Sequence, residues 1–396
     1  PAIRAIRELA EAGYWPAKYW RRLLWSTRTL RREGKIRTRT LGYLAKLLLQ
    51  AADDLHGQIG SAISSYIEDL SEECSIEDEE IFGDLWNKTW SAIVDEPDVD
   101  TDDVYTQALN SAAGHLAEAA FNRLWKYQPE AGKGLPEPIS GYFQSIATSD
   151  AGHLGRVMLG AKLSNLFAIA PDWTNQSLLP YLRWETSNEA RDLWAAYAWA
   201  ARAGPNLLTA IKANFITALE RYPELGEQRS NLLHLFLAAS LDANSGITPE
   251  EIQAVMANLP EDGLVDVADF FESRLGDNEG DQAETWENIC LPWLRDYWPM
   301  AQERNTTRTS VALVKCLIKT GDAFPEALKW AEEFLRRGTE HVLWEVQESG
   351  VHQRWSAHTL SMLAIMIPNN NVESWNRHRL QQILGQMQEA DQNIAQ

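Results

Sequence analysis

The chain has 396 residues, with 36 Lys+Arg against 56 Asp+Glu for a net charge of -20, 45% hydrophobic residues, 17 Trp and 3 Cys. It is too apolar and aromatic to be disordered as a whole, and Cys74, Cys290 and Cys316 supply neither a disulfide framework nor the paired ligands of a structural zinc site. Such cysteine usage predicts a reducing, cytoplasmic setting, no apolar run reaches the roughly 18 residues of a membrane span, and the N-terminus lacks a signal-peptide core.

On length alone, two or three domains are expected. The chain opens Pro1-Ala2-Ile3-Arg4, without an initiator Met, and is in a helical pattern by Ile3, Ile6 and Leu9. That start predicts a segment of a longer protein, although Met removal before a small residue gives the same beginning.

Residues 1–46 carry twelve Lys+Arg and three Asp+Glu, whereas residues 47–105 carry one basic and seventeen acidic residues. Arg21, Arg28 and Arg32 share a helical face, with Arg22, Arg31, Lys35, Arg37 and Arg39 nearby and Trp20 and Trp25 among them. Two readings follow. Such a cluster can hold phosphates while the aromatic rings stack on bases. Alternatively the arginines pair with the acidic run in the same molecule, since Trp20, Leu23, Leu24 and Thr27 define a buried face and the overall charge opposes approach to a polyanion. The second reading is favoured.

The run Asp95-Glu96-Pro97-Asp98-Val99-Asp100-Thr101-Asp102-Asp103 fails as a calcium loop. Counted from Asp98, its sixth position is Asp103 instead of Gly and its twelfth is Leu109 instead of Glu. It reads as a solvated loop before a helix starting near Thr101, whose positive end Asp102 and Asp103 would favour. Gly and Pro crowd the segment 128–138, which predicts a loop and a boundary between an N-terminal helical region, 1–132, and a helical-repeat region, 133–396.

Beyond it almost every stretch shows the 3.6-residue period of an amphipathic helix and almost none shows strand alternation. A helix is predicted over 187–203, opened by a capping box from Thr186 and Glu189 and stopped by Gly204-Pro205. Leu207, Leu208, Ile211, Phe215 and Leu219 mark the next, until Pro223. Thr248-Pro249-Glu250-Glu251 writes another start, with Pro at the first helical position and Glu at the third. Further helices are read from Val311 to Ile318, from Ala327 to Phe334 and from Trp355 to Ile367. Short helices joined by breaker-marked turns predict an all-α fold, a solenoid-like array of helical hairpins with irregular repeats. Leu179-Pro180-Tyr181-Leu182-Arg183 returns as Leu291-Pro292-Trp293-Leu294-Arg295, a weak echo of a longer repeat.

Phosphate-loop, GxGxxG, GxSxG and HExxH patterns are absent, and the eight histidines are scattered. Trp194, Trp330 and Trp344 fit apolar helix faces and are expected in the core. Trp173, Trp293 and Trp298 sit at turns, where a ring either pins the loop down or is offered to a partner; pinning is favoured.

Asp172-Trp173 with Leu178-Leu179-Pro180 and Arg183-Trp184, Trp286 with Leu291-Pro292-Trp293 and Trp298-Pro299, Gly321-Asp322-Ala323-Phe324-Pro325-Glu326-Ala327, and Gln347-Glu348-Ser349-Gly350 carry a resemblance. Over roughly residues 140–367 the chain resembles the helical C-terminal region of bacterial sirtuin-like, NAD-hydrolysing antiphage defence proteins. The resemblance implies a non-catalytic sensor or scaffold that binds a phage or partner protein and regulates an NAD-hydrolysing domain lying outside these residues, with no cofactor of its own. The implied partners are a phage component, the sirtuin-like domain or a second copy of the chain, with nucleic acid a lesser alternative and no membrane. Two other functions compete: a DNA-associated defence subunit using the basic helix, and a helical hydrolase or nuclease, which needs carboxylates and a His converging in one pocket.

Overall fold

The computed structural model describes residues 2–34, 38–93, 103–276, 282–338, 341–367 and 374–394. Among these residues every regular element is helical. The chain divides into two compact units, Pro1–Ala218 with Glu224–Arg229 and Leu219–Pro223 with Ser230–Gln396. The division falls near residues 218–230, inside the region expected to be continuous, and not at 132/133. The expected boundary loop at 128–138 is a loop, but it is stitched into the first unit: Gly132 and Gly134 donate their backbone amides to the carbonyls of Ala168 and Ile169.

The helices up to the division are α1 (Ala2–Glu11), α2 (Ala17–Arg32), α3 (Thr38–Gln50), α4 (Asp53–Gln58), α5 (Gly60–Glu73), α6 (Glu79–Ala92), α7 (Val104–Asn110), α8 (Ala112–Lys126), α9 (Ser140–Thr148), α10 (His153–Ala161), α11 (Leu163–Ile169), α12 (Pro171–Ser177), α13 (Ala190–Ala198) and α14 (Pro205–Glu220). Those beyond it are α15 (Arg229–Ser240), α16 (Pro249–Asn258), α17 (Glu261–Gly276), α18 (Gln282–Thr285), α19 (Leu291–Tyr297), α20 (Thr307–Ile318), α21 (Phe324–Ala331), α22 (Val342–Ser349), α23 (Val351–Arg354), α24 (Ser356–Met366) and α25 (Ser374–Ile394).

Side-chain bonds between neighbouring helices reveal their direction, because parallel helices keep a constant residue offset. Arg28 reaches Ser65 and Arg31 reaches Asp69, offsets of 37 and 38, and Arg21 keeps the same offset of 37 to Gln58 at the end of α4 just before α5, so α2 and α5 run the same way. Glu68 meets His115 and Ser71 meets Asn122, at offsets of 47 and 51, so α5 and α8 do likewise. In the second unit Glu261 meets Thr306 and Asp262 meets Arg308, at offsets of 45 and 46, so α17 and α20 are parallel as well.

Close approach in the first unit depends on small residues. α8 buries Ala112, Ala113, Ala117, Ala119 and Ala120 beside Leu116, Phe121 and Leu124. Gly114 is obligatory there, since a Cβ would stand 1.7 Å from the Ala108 carbonyl oxygen.

Two buried arginines act as clasps. Arg123, fully buried, donates to the carbonyls of Cys74 and Ser75 at the end of α5 and to Glu79 in the first turn of α6. Arg156 donates to Ile146 and Ser149 at the end of α9 and to Glu189, which opens α13. Each cation thus sits at the negative end of one helix while its carboxylate partner sits at the positive end of another. Phe82 and Tyr181 cover the two guanidinium faces at 5.2 and 4.7 Å.

The Arg156 clasp overturns a sequence expectation. Thr186 and Glu189 form no capping box, because the Glu189 carboxylate is taken by Arg156, and the helix there is only Ala190–Ala198. The box at Thr248 and Glu251 does form, with Pro249 in the first turn. The Leu-Pro-aromatic-Leu-Arg echo has no structural counterpart: Leu179–Leu182 is a 3-10 turn, whereas Leu291–Tyr297 is α-helical and follows a π-helical turn at Trp286–Cys290.

Candidate functional site

An open groove of about 630 Å³ lies in the second unit, between α17 and α20. Four-residue spacing builds it, since residues i, i+4 and i+8 line one face of a helix. Glu261, Val265 and Asp269 run along α17; Thr307, Val311 and Lys315 run along α20; His341 lines the same cavity. The Thr306 hydroxyl donates to Glu261, and Arg308 pairs with Asp262. Lys315 stands 3.3 Å from Glu345. Burial raises the carboxyl pKa values of Asp269 and Glu272 above their ordinary range; the Asp266 charge adds to the first, and Lys315 opposes both. Sequence reasoning missed this groove, because Val265 and Asp269 alone look like ordinary positions on an amphipathic helix.

The basic helix is largely spent internally. Its expected buried face is present in Trp20, Leu23, Leu24 and Thr27. Arg31 bonds to Asp69, Glu72 and Glu73 on α5, Arg28 to the Ser65 hydroxyl at 2.8 Å, and Arg21 to the Gln58 carbonyl at 2.8 Å. Burial alone would lower the Arg31 pKa, yet Asp69, Glu72 and Glu73 carry it above its ordinary value. The Asp69 carboxyl is nevertheless raised, because its own burial outweighs Arg31 and Arg28. The cluster ties α2 to α5. Arg22 and Trp25 are exposed on this helix. Lys35 and Arg37, the side chains of Arg32 and Arg39, and the acidic run from Asp95 to Asp102 lie outside the described residues; Asp103 caps α7 by accepting from the Thr106 amide.

The turn tryptophans are pinned. Trp293 and Trp298 are buried, donating to the Ser240 hydroxyl and to Asn305 Oδ1. Trp173 is half-buried against Phe143 and donates to Gln144. Neither Trp293 nor Trp298 is offered to a partner, since each indole nitrogen is consumed by an internal acceptor. Trp194 lies in the core as expected, bonded to the Leu182 carbonyl. Trp344 departs from expectation and is 49% exposed, because α22 buries Val342, Leu343 and Val346 instead.

The cysteines are poor nucleophiles. Burial pushes the Cys74 thiol up to about 11 and the Cys290 thiol up to about 12, and holds Cys316 well above its ordinary value. Among the described residues no group of three or more His, Cys, Asp or Glu is disposed to hold a metal ion, and no helix is long and apolar enough to cross a membrane.

Fold and groove together define an all-helical protein with an open, charged interhelical cleft. The chain is 22% identical over 255 residues to the uncharacterized protein y4cA of Sinorhizobium fredii, a match covering 62% of this chain and 21% of that protein. The match thus spans about a fifth of that relative's length. No family model and no solved structure matches the chain.

Proposed function

We propose that the chain is a solenoid-like, helical-repeat binding region, the sensor or scaffold part of an antiphage effector, which engages a protein partner and regulates an associated NAD-hydrolysing domain. The observation that carries the binding role is where polar and aromatic groups are spent. Buried arginines and turn tryptophans are tied to internal acceptors, whereas Trp25, Trp125, Trp199 and Trp344 are 42–49% exposed. Exposed indoles are the residue type enriched at protein interfaces. The repeat arrangement draws on the constant offsets that make α2, α5 and α8, and separately α17 and α20, parallel neighbours, as equivalent helices of successive hairpins are. The effector assignment draws on the resemblance carried by the Gly321 to Ala327 run.

The test is phage challenge of cells carrying the full-length protein with Trp199→Ala and Trp344→Ala. Protection should fall at least tenfold while the melting temperature of the purified protein changes by no more than a few degrees. Undiminished protection by the double variant would sink the reading. A DNA-binding reading draws on Arg22 and Trp25 alone among the described basic-helix residues, and retention of duplex DNA in a low-salt mobility shift would favour it.

A further inference from the structure

The groove between α17 and α20 has a charge imbalance. Both cations along its wall are already committed, Arg308 to Asp262 and Lys315 to Glu345. Two carboxylates facing the same cavity, Glu261 and Asp269, have no cation at ion-pair distance; Glu261 accepts only from the Thr306 hydroxyl. Between these acidic positions lie Val265 and Val311, with Ala312 beside them. The wall is thus apolar in its middle and anionic towards both ends of α17's stripe. At about 630 Å³ the space is in the range of ligand sites and holds on the order of twenty liquid-water volumes. That is more than one side chain needs and suits a side chain together with the backbone on either side of it.

We propose that this groove docks an extended peptide segment of a partner protein through one Arg or Lys side chain, whose aliphatic stem lies on Val265 and Val311 and whose cation pairs with Asp269. Long basic side chains combine these two demands, burying a stem on apolar surface while delivering charge at its tip. An anionic ligand would meet the Glu261 and Asp269 carboxylates, neither of them in an ion pair, while Arg308 and Lys315 are held by Asp262 and Glu345. The displaced carboxyl pKa of Asp269 fits the same geometry, because a half-buried carboxylate gains most when a cation arrives. The inference rests on the protein-binding role proposed above and names the partner chemistry at one site.

Selection of a random heptapeptide display library against the full chain tests it. Enriched peptides should share an Arg or Lys flanked by apolar residues. Anisotropy of a dye-labelled winner should show at least a tenfold rise in Kd for Asp269→Asn, and a comparable rise for the wild-type chain when the peptide's Arg is replaced by citrulline or its Lys by acetyl-lysine. The peptide substitution keeps the test decisive if the protein variant folds poorly. Enriched peptides without a basic residue, or equal affinity for Asp269→Asn, would overturn the groove assignment while leaving protein binding intact. Failure to enrich any peptide would likewise overturn the groove assignment, and the protein-binding role would then be decided by the phage challenge of the tryptophan variant.

Discussion

Arg123 ties α8 to the end of α5 and the start of α6. It satisfies two carbonyls at the end of α5 and holds Glu79, which also accepts from Tyr142 and Tyr127. Burial and the Glu79 charge push the Tyr142 hydroxyl far above its ordinary pKa, so it remains a donor across the working pH range. Replacement by Met keeps the volume but strands a largely buried carboxylate and two carbonyls. Arg123→Met should therefore cost about 3–5 kcal/mol in urea unfolding, the usual penalty for removing one partner of a buried pair. Adding Glu79→Gln to it should recover part of that loss. His56 makes a pH-dependent contribution. Its ring is buried between Thr89 and the Leu48 carbonyl, and burial lowers its pKa below the ordinary 6.5. Because the unfolded chain takes up the proton more readily, stability present above about pH 6.5 is lost as pH falls through the folded value. Unfolding free energy measured at pH 7 and pH 5 should drop less for His56→Gln than for the wild type.

At the scale of single helices, two motifs of the same spelling behave differently. Thr248-Pro249-Glu250-Glu251 forms its capping box, whereas Thr186 and Glu189 do not, since the tertiary partner Arg156 claims the carboxylate. Thr248→Ala should cost about 1 kcal/mol, and Thr186→Ala should stay within roughly 0.5 kcal/mol, both read from the urea midpoint at constant slope. Local pattern was enough for the helices themselves, as the period around Leu207 to Leu219 and the Pro249 start show. It was not enough for which groups a neighbouring helix would take, and the exposure of Trp344 came from the same source, a helix whose apolar residues point elsewhere. Docking of α2 gives a further test. Arg31→Ala removes bonds to three carboxylates on α5, so amide exchange should rise across α2 and remain unchanged in α17.

At the scale of the whole chain, the acidic balance and the internal commitment of Arg21, Arg28 and Arg31 both disfavour a polyanion. Duplex DNA should show no retention in 50 mM salt, and Arg31→Glu should lower stability without altering that result. The division near residues 218–230 was not legible because no Gly- or Pro-dense stretch marks it; α14 runs into it, and a lone Pro223 and a lone Gly226 punctuate it. The dense loop at 128–138 misled for the opposite reason, its glycines being tied back to α11. The groove, too, lay out of reach of the sequence, since Asp269 and Lys315 are brought together only by the alignment of two helices 46 positions apart.

The parallel alignment of α2, α5 and α8 likewise sets how the first unit should yield under load. The side-chain bonds joining α2 to α5 and α5 to α8 span 37 to 54 positions, so each of them joins neighbouring helices and none joins α2 to α8. If the proposed repeat arrangement holds, the unit stretched by its ends in an optical trap should come apart from its outer helix inward. Each rupture should release about 45 residues, a contour gain of roughly 15 nm at 3.3–3.6 Å per residue, and relaxation should retrace the same staircase.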